Sequence, residues 1–120
     1  MTQDRTQDRL KQFVQKLNKF YEEKEWKQFH SPKNLAMGVA SEAGELLQIF
    51  RFLTEAESSQ LDSKTLELVQ DEIGDVFIFL AYLADALGMD AIALAERKLE
   101  KSIKKYSSDF YKGRKDKALA

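Results

Sequence analysis

The sequence predicts an all-α fold, a bundle of four main helices that associates into oligomers. Three observations carry this reading. Apolar residues recur at helical spacing along most of the chain, as they do in a helix buried on one face. The 120 residues hold one proline and five glycines, while Ala, Leu, Glu and Lys abound, and these are good helix formers. The stretch from Val76 to Leu87 is apolar nearly all round, and such a helix wants partners on more than one side. Three other short helices offer limited cover, so subunit association is the expected remedy, as a homodimer or homotetramer.

The first helix is expected from about Thr6 to Glu23, where Leu10, Phe13, Val14, Leu17, Phe20 and Tyr21 follow the helical period. The segment Glu22 to His30 breaks that pattern and should leave the helix. Ser31-Pro32 then gives a strong start signal, serine as cap and proline in the first turn. The second helix continues to about Phe52. Thr54 to Ser63 is polar and reads as a connector with room for a short helical turn. Asp62 or Ser63 can cap the third helix, which runs to about Leu87, with Gly88 just past its end. Asp90 can cap a fourth helix running to about Tyr106. Residues 1–110 read as one helical domain and 111–120 as a basic, mobile tail.

Composition narrows the function. Net charge is −1, so no whole-chain basic signal points to nucleic acid. The absence of cysteine excludes disulfides and thiolate metal sites. Met1 to Arg9 is polar and lacks the apolar core of a signal peptide, and the apolar run Val76 to Ala84 is far too short to span a bilayer. The expectation is a cytoplasmic protein with neither nucleic acid nor membrane as partner.

Two of the helices carry carboxylate pairs where apolar residues are expected. Leu35, Gly38, Glu42, Glu45 and Ile49 share one stripe, and Leu68, Glu72, Asp75, Phe79 and Tyr82 share another. Buried acids are costly unless they are paired or bind metal. If the two helices pack antiparallel, Glu42 can face Asp75 and Glu45 can face Glu72. Four carboxylates that close cannot all stay ionised without cations, and oxygen-only ligation suits Mg²⁺ or Mn²⁺. The competing reading puts the acids on solvated faces in salt bridges with the many lysines. Carboxylate-bridged di-iron bundles need two Glu-x-x-His motifs, and the only histidine, His30, lies outside both pairs. Gly44 and Gly74 each precede the second acid of a pair, and a close helix or ligand approach would explain their cost inside a helix.

The fourth helix offers the opposite charge. Lys98, Ser102 and Lys105 share a face, while Ala95, Leu99, Ile103 and Tyr106 make the expected core face. A lysine row beside an acid-bound metal cluster is what a polyphosphate needs; a solvated basic face is the alternative. Trp26, Phe29 and His30 cluster before the second helix. Trp26 can stack on a base or close the bundle end, Phe29 fits the lid better, and His30 can bond a ligand or sit on the surface.

These residues resemble the all-α MazG-like nucleotide pyrophosphohydrolases, whose signature is Glu-x-x-Glu, a spacer, then Glu-x-x-Asp. Here it reads Glu42-Ala-Gly-Glu45 and Glu72-Ile-Gly-Asp75. The run from Trp26 to Leu35 is similar to that of the dCTP pyrophosphatase branch, and Lys98 to Tyr106 resembles its lysine–tyrosine segment. The resemblance covers roughly Phe13 to Lys117. It implies a four-helix oligomer that hydrolyses a nucleoside triphosphate to monophosphate and pyrophosphate with Mg²⁺. It implies Glu42, Glu45, Glu72 and Asp75 as metal ligands, one of them serving as base, Lys98 and Lys105 as phosphate contacts, and Trp26 as part of the base pocket. Tyr106 is a motif position. Ser102, Phe79, Leu17 and Phe52 stand where the branch would have asparagine, tyrosine, histidine and tryptophan. These departures bear on base preference more than on reaction type.

Overall fold

The computed structural model describes residues 2–114, and all their regular structure is helical. Helix α1 spans Thr2–Glu23, α2 Pro32–Phe50, α3 Glu55–Ser58, α4 Ser63–Ala86 and α5 Ala91–Lys105. Two short 3-10 turns, Lys27–Phe29 and Asp109–Tyr111, complete the order. The expected second, third and fourth helices are α2, α4 and α5, and α3 is the short turn of the connector.

Local chemistry explains the boundaries. The Asn34 N–H donates to the Ser31 hydroxyl at 3.2 Å, and Pro32 opens α2. Asp62 accepts from Thr65 N–H at 2.7 Å and Asp90 from Ala93 N–H at 2.8 Å, starting α4 and α5. Helix α3 is held by a capping box between Thr54 and Glu57. Helix α1 begins at Thr2 rather than Thr6, because Thr2 to Thr6 contains no residue that stops a helix. Helix α2 ends at Phe50 rather than Phe52.

The end of α1 has an unusual closure. Trp26 N–H donates to Tyr21 C=O at 3.0 Å and Glu25 N–H to Glu22 C=O at 3.1 Å, the paired bonds of a Schellman motif. Glycine is the usual residue at the left-handed position of this motif; here it is Glu25, with φ +56°. The loop is braced by a Lys27–Glu22 ion pair at 3.1 Å and by Gln28 Nε2 donating to Glu25 C=O at 2.8 Å. Asn34 Nδ2 donates to Phe29 C=O at 2.9 Å and ties the next turn to α2.

Helices α2 and α4 form the main packed pair, and α1 rests mainly against α4. The core is Leu17, Tyr21, Leu35 and Tyr82, with Phe13, Ile78, Phe79 and Leu83 packed against it. Leu35 is 1% exposed, a burial worth about 1.5–3 kcal/mol. The close approach between helices falls at Gly38, not at the other helix glycines. A Cβ at Gly38 would lie 2.5–2.9 Å from the Phe79 ring, whereas nothing lies within 4 Å of one at Gly44 or Gly74. The expected close approach at those two glycines is therefore not made among the described residues.

The fourth expected helix does not close the bundle. Helix α5 leaves α4 at 95° across a turn containing Gly88 at φ +73°. Leu99 and Ile103, expected as core, are 59% and 61% exposed. The radius of gyration is 17.4 Å, against about 14 Å for a compact domain of this length. The apolar residues of α4 face the same shortage, since Ile73, Phe77 and Leu80 stay exposed. Among the described residues no single helix is long and apolar enough to cross a membrane. Past α5, Tyr111 stacks edge-on against Tyr106, and the Arg114 guanidinium lies 4.5 Å over Phe110. The rest of the expected mobile tail, Lys115 to Ala120, lies outside the described residues.

Candidate metal centre

Antiparallel packing of α2 and α4 is what brings the acids together. Gly38 meets Phe79; one turn further along α2, Glu42 meets residues one to two turns back along α4. Carboxylate oxygens of Glu42, Glu45 and Glu72 all lie within 4.8 Å of one another. Glu42 and Glu72 are half-buried and Glu45 is exposed at the rim. The expected convergence of four acids is thus a tight group of three. Asp75 sits beside it, near enough for its charge to act on both Glu42 and Glu72.

The electrostatics of this group are one-sided. Burial, closeness to Glu72 and Glu45, and the charges of Glu45 and Asp75 push the Glu42 carboxyl up to about 7. Burial also raises Glu72, helped by Glu45 and Asp75 and opposed by its contact with Glu42. The Oε2 atoms of Glu42 and Glu72 are shielded and meet no donor among the described residues. Among the described residues no ion pair joins any of the four acids to a lysine. Solvated salt bridges therefore do not describe this groove. Shielded carboxylate oxygens without donors, with only oxygen ligands nearby, fit a hard divalent cation.

The other expected site residues divide into two sets. Near the N-terminal end of α2 stands an aromatic group. Trp26, 44% exposed, packs edge-on against Phe20 with ring centres 5.5 Å apart, and lies 6.3 Å from Tyr21. His30 is half-buried against Tyr21 at 4.6 Å and Tyr82 at 5.3 Å. Its Nδ1 is shielded without a partner, and burial lowers its pKa. Phe29 is 61% exposed and does not act as a lid. Leu17, where the resemblance expects a base-pocket histidine, is buried in the core.

The second set stands away from this group. Phe52 is 83% exposed just past the C-terminal end of α2, its ring under the Arg51 guanidinium at 4.6 Å. The 19 residues of α2 separate it from Trp26, a helix about 28 Å long. One chain therefore cannot put Trp26 and Phe52 on the same base. Lys98, Ser102, Lys105 and Tyr106 lie on or just past α5, which diverges from α4. Lys98 and Lys105 are exposed, and Lys105 Nζ lies 5.3 Å over the Tyr106 ring. Among the described residues, no lysine is a main influence on Glu42 or Glu72. The expected lysine row beside the acids is not assembled within one chain, because α5 turns outward at Gly88.

Sequence reasoning passed over Tyr21, Tyr82 and Glu25. The two tyrosines follow the helical period and read as ordinary core. Glu25 carries no signal at all, since glycine is the residue that announces a left-handed helix end.

The fold and the groove define a helical domain with a candidate cation-binding acidic cluster on an antiparallel helix pair. The MazG-like family model matches residues 39–118, a span that contains both acid pairs. The chain belongs to the MazG-like family. It is 30% identical over 96 residues to dCTP pyrophosphatase 1 of Rattus norvegicus, covering 78% of this chain and 56% of that protein. It is 32% identical over 89 residues to dCTP pyrophosphatase 1 of Homo sapiens, covering 72% and 52%. The chain thus spans about half the length of the curated relatives it matches. Among solved structures, a pyrophosphatase from Archaeoglobus fulgidus superposes with a TM-score of 0.78 at 32% identity, covering 83% of this chain and 94% of that one.

Proposed function

We propose that the chain is a Mg²⁺-dependent nucleoside triphosphate pyrophosphohydrolase of the nucleotide pool, acting in the cytoplasm, with dCTP or a modified analogue as the first substrate class to test. The observation that carries this is the trio Glu42, Glu45 and Glu72, three carboxylates with no lysine paired to them among the described residues. Membership of the MazG-like family and the names of the relatives support the reaction class.

The three carboxylates would hold the cation. Mg²⁺, or Mn²⁺ in its place, would offset phosphate charge and make water more acidic. Water oxygen bonds to the α-phosphorus while the bond from that phosphorus to the bridging oxygen breaks. Nucleoside monophosphate and pyrophosphate are the products. Asp75, beside the trio rather than in it, would take the proton from water. Trp26 offers an exposed ring for the base, and His30 packs on the Tyr21 ring that also neighbours Trp26. Lys98 and Lys105, with Ser102 and Tyr106, reach the phosphates from the α5 of a second copy, and Phe52 joins the base pocket in the same way. A homodimer or homotetramer would cover the exposed faces of α4 and α5.

A non-enzymatic association module would use those same apolar faces. The shielded, unpaired oxygens of Glu42 and Glu72 favour the enzyme. The test is pyrophosphate release with millimolar Mg²⁺ across common and modified triphosphates, comparing wild type with Glu72→Gln. Wild type should turn over, and the variant should lose at least about tenfold. A folded, Mg²⁺-supplied protein that releases no pyrophosphate from any of them would remove the hydrolase reading.

A further inference from the structure

We propose that Tyr21 is a positioning residue for the base: it mounts Trp26 and His30 as one aromatic wall and fixes that wall to the helix that carries Glu72 and Asp75. This rests on the reading of Trp26 as the stacking surface.

Four observations converge on Tyr21. Its carbonyl accepts from Trp26 N–H at 3.0 Å, so the closure of α1 sets where the Trp26 backbone lies. Its ring centre lies 6.3 Å from that of Trp26, 4.6 Å from that of His30 and 4.8 Å from that of Tyr82, and among the described residues no other ring neighbours all three, although Phe20 lies nearer Trp26, at 5.5 Å. Tyr21 is 8% exposed while Trp26 is 44% exposed, the pattern of a buried support under an open face. Tyr82 lies seven residues after Asp75 on α4, two turns along the same face. The chain of contacts therefore runs from the open indole to the acid-bearing helix without passing through solvent.

An exposed aromatic ring on a loop can turn about two torsions. Stacking on a base needs one orientation, and freezing it at binding costs affinity. A buried ring pressed against the loop removes that cost in advance. The phosphates are held elsewhere, by the acid groove, so the mount should affect binding of the base and leave the bond-breaking step alone.

Trp26 is the only tryptophan, so its emission reports the wall directly. Three proteins decide the matter: wild type, Tyr21→Phe and Tyr21→Met. The phenylalanine keeps every ring contact, and the methionine fills similar volume with no ring. In Tyr21→Met the KM for the triphosphate should rise about tenfold, the scale of one lost base-stacking contact. Its kcat should move less than about twofold, its Mn²⁺ affinity should not change, and the Trp26 emission change on adding nucleotide should be lost. Tyr21→Phe should restore wild-type KM and emission response. A Tyr21→Met protein with wild-type KM and an intact Trp26 response would overturn the proposal. A wild type that hydrolyses nucleotide with no Trp26 response would overturn it too, while leaving the hydrolase reading standing. If Tyr21→Met does not fold, anisotropy decay of wild-type Trp26 decides. An indole that tumbles only with the whole protein supports the mount, and an indole with free nanosecond rotation overturns it.

Discussion

Glu42→Gln should make the metal-free protein more stable, and only above the pH at which free glutamates ionise. The Glu42 carboxyl is pushed up from 4.5 to about 7. In the unfolded chain it ionises near 4.5; in the fold it resists until about 7. Below 4.5 both states are protonated and the site costs nothing. Between 4.5 and 7 the folded state holds the extra proton, so stability falls as pH rises, and above 7 the loss is complete. A shift of this size would amount to roughly 3 kcal/mol at about 1.4 kcal/mol per unit. The carboxyl is only half-buried, and water screens much of it, which leaves about 1 kcal/mol. The amide keeps the shape and removes the charge. The expected result is a Tm higher than wild type by about 3–6 °C at pH 8 and no difference at pH 4.5. Thermal unfolding followed by circular dichroism in EDTA at both pH values measures it. Millimolar Mg²⁺ should raise wild-type Tm at pH 8 and reverse the order of the two proteins. A variant less stable than wild type at pH 8 in EDTA, or equally shifted at both pH values, would refute the account of a carboxyl penalised by burial and by its acidic neighbours.

Three further substitutions test the packing. Gly38→Ala should cost about 1–3 kcal/mol in urea unfolding, because its Cβ would meet the Phe79 ring at 2.5 Å; adding Phe79→Leu should return part of the loss. Glu25→Gly should add about 0.5 kcal/mol, since relief of the left-handed backbone at φ +56° outweighs the added freedom of the unfolded chain; a loss in urea midpoint would contradict it. Leu35→Ala, at the most buried side chain, should cost about 2–5 kcal/mol, and a loss below 1 kcal/mol would mean the core lies elsewhere.

What the sequence makes legible is whatever depends on neighbours within a few turns. Ser31-Pro32, Asp62 and Asp90 announce their helices because a cap needs only a side chain and an N–H three residues on. Glu42 and Glu45, like Glu72 and Asp75, declare a shared face through spacing alone. The course of α5 is different. Its amphipathic face predicts burial of Leu99 and Ile103, yet periodicity says nothing about which surface covers them. The angle at Gly88 decides that, and it turns them outward. The Gly38–Phe79 contact was equally hidden. Of the three helix glycines only Gly38 lies on an acid stripe, but spacing does not say which side chain meets it; the register of α2 against α4 brings the Phe79 ring there.

That register has a mechanical consequence. The trio of carboxylates lies between two fastenings of the α2–α4 pair. On one side Phe79 is seated on Gly38; on the other the short connector through α3 joins the helix ends. The carboxylates therefore sit inside a span braced on both sides, not at a free helix end, and a local change in their charge acts on two helices that are already tied together above and below it.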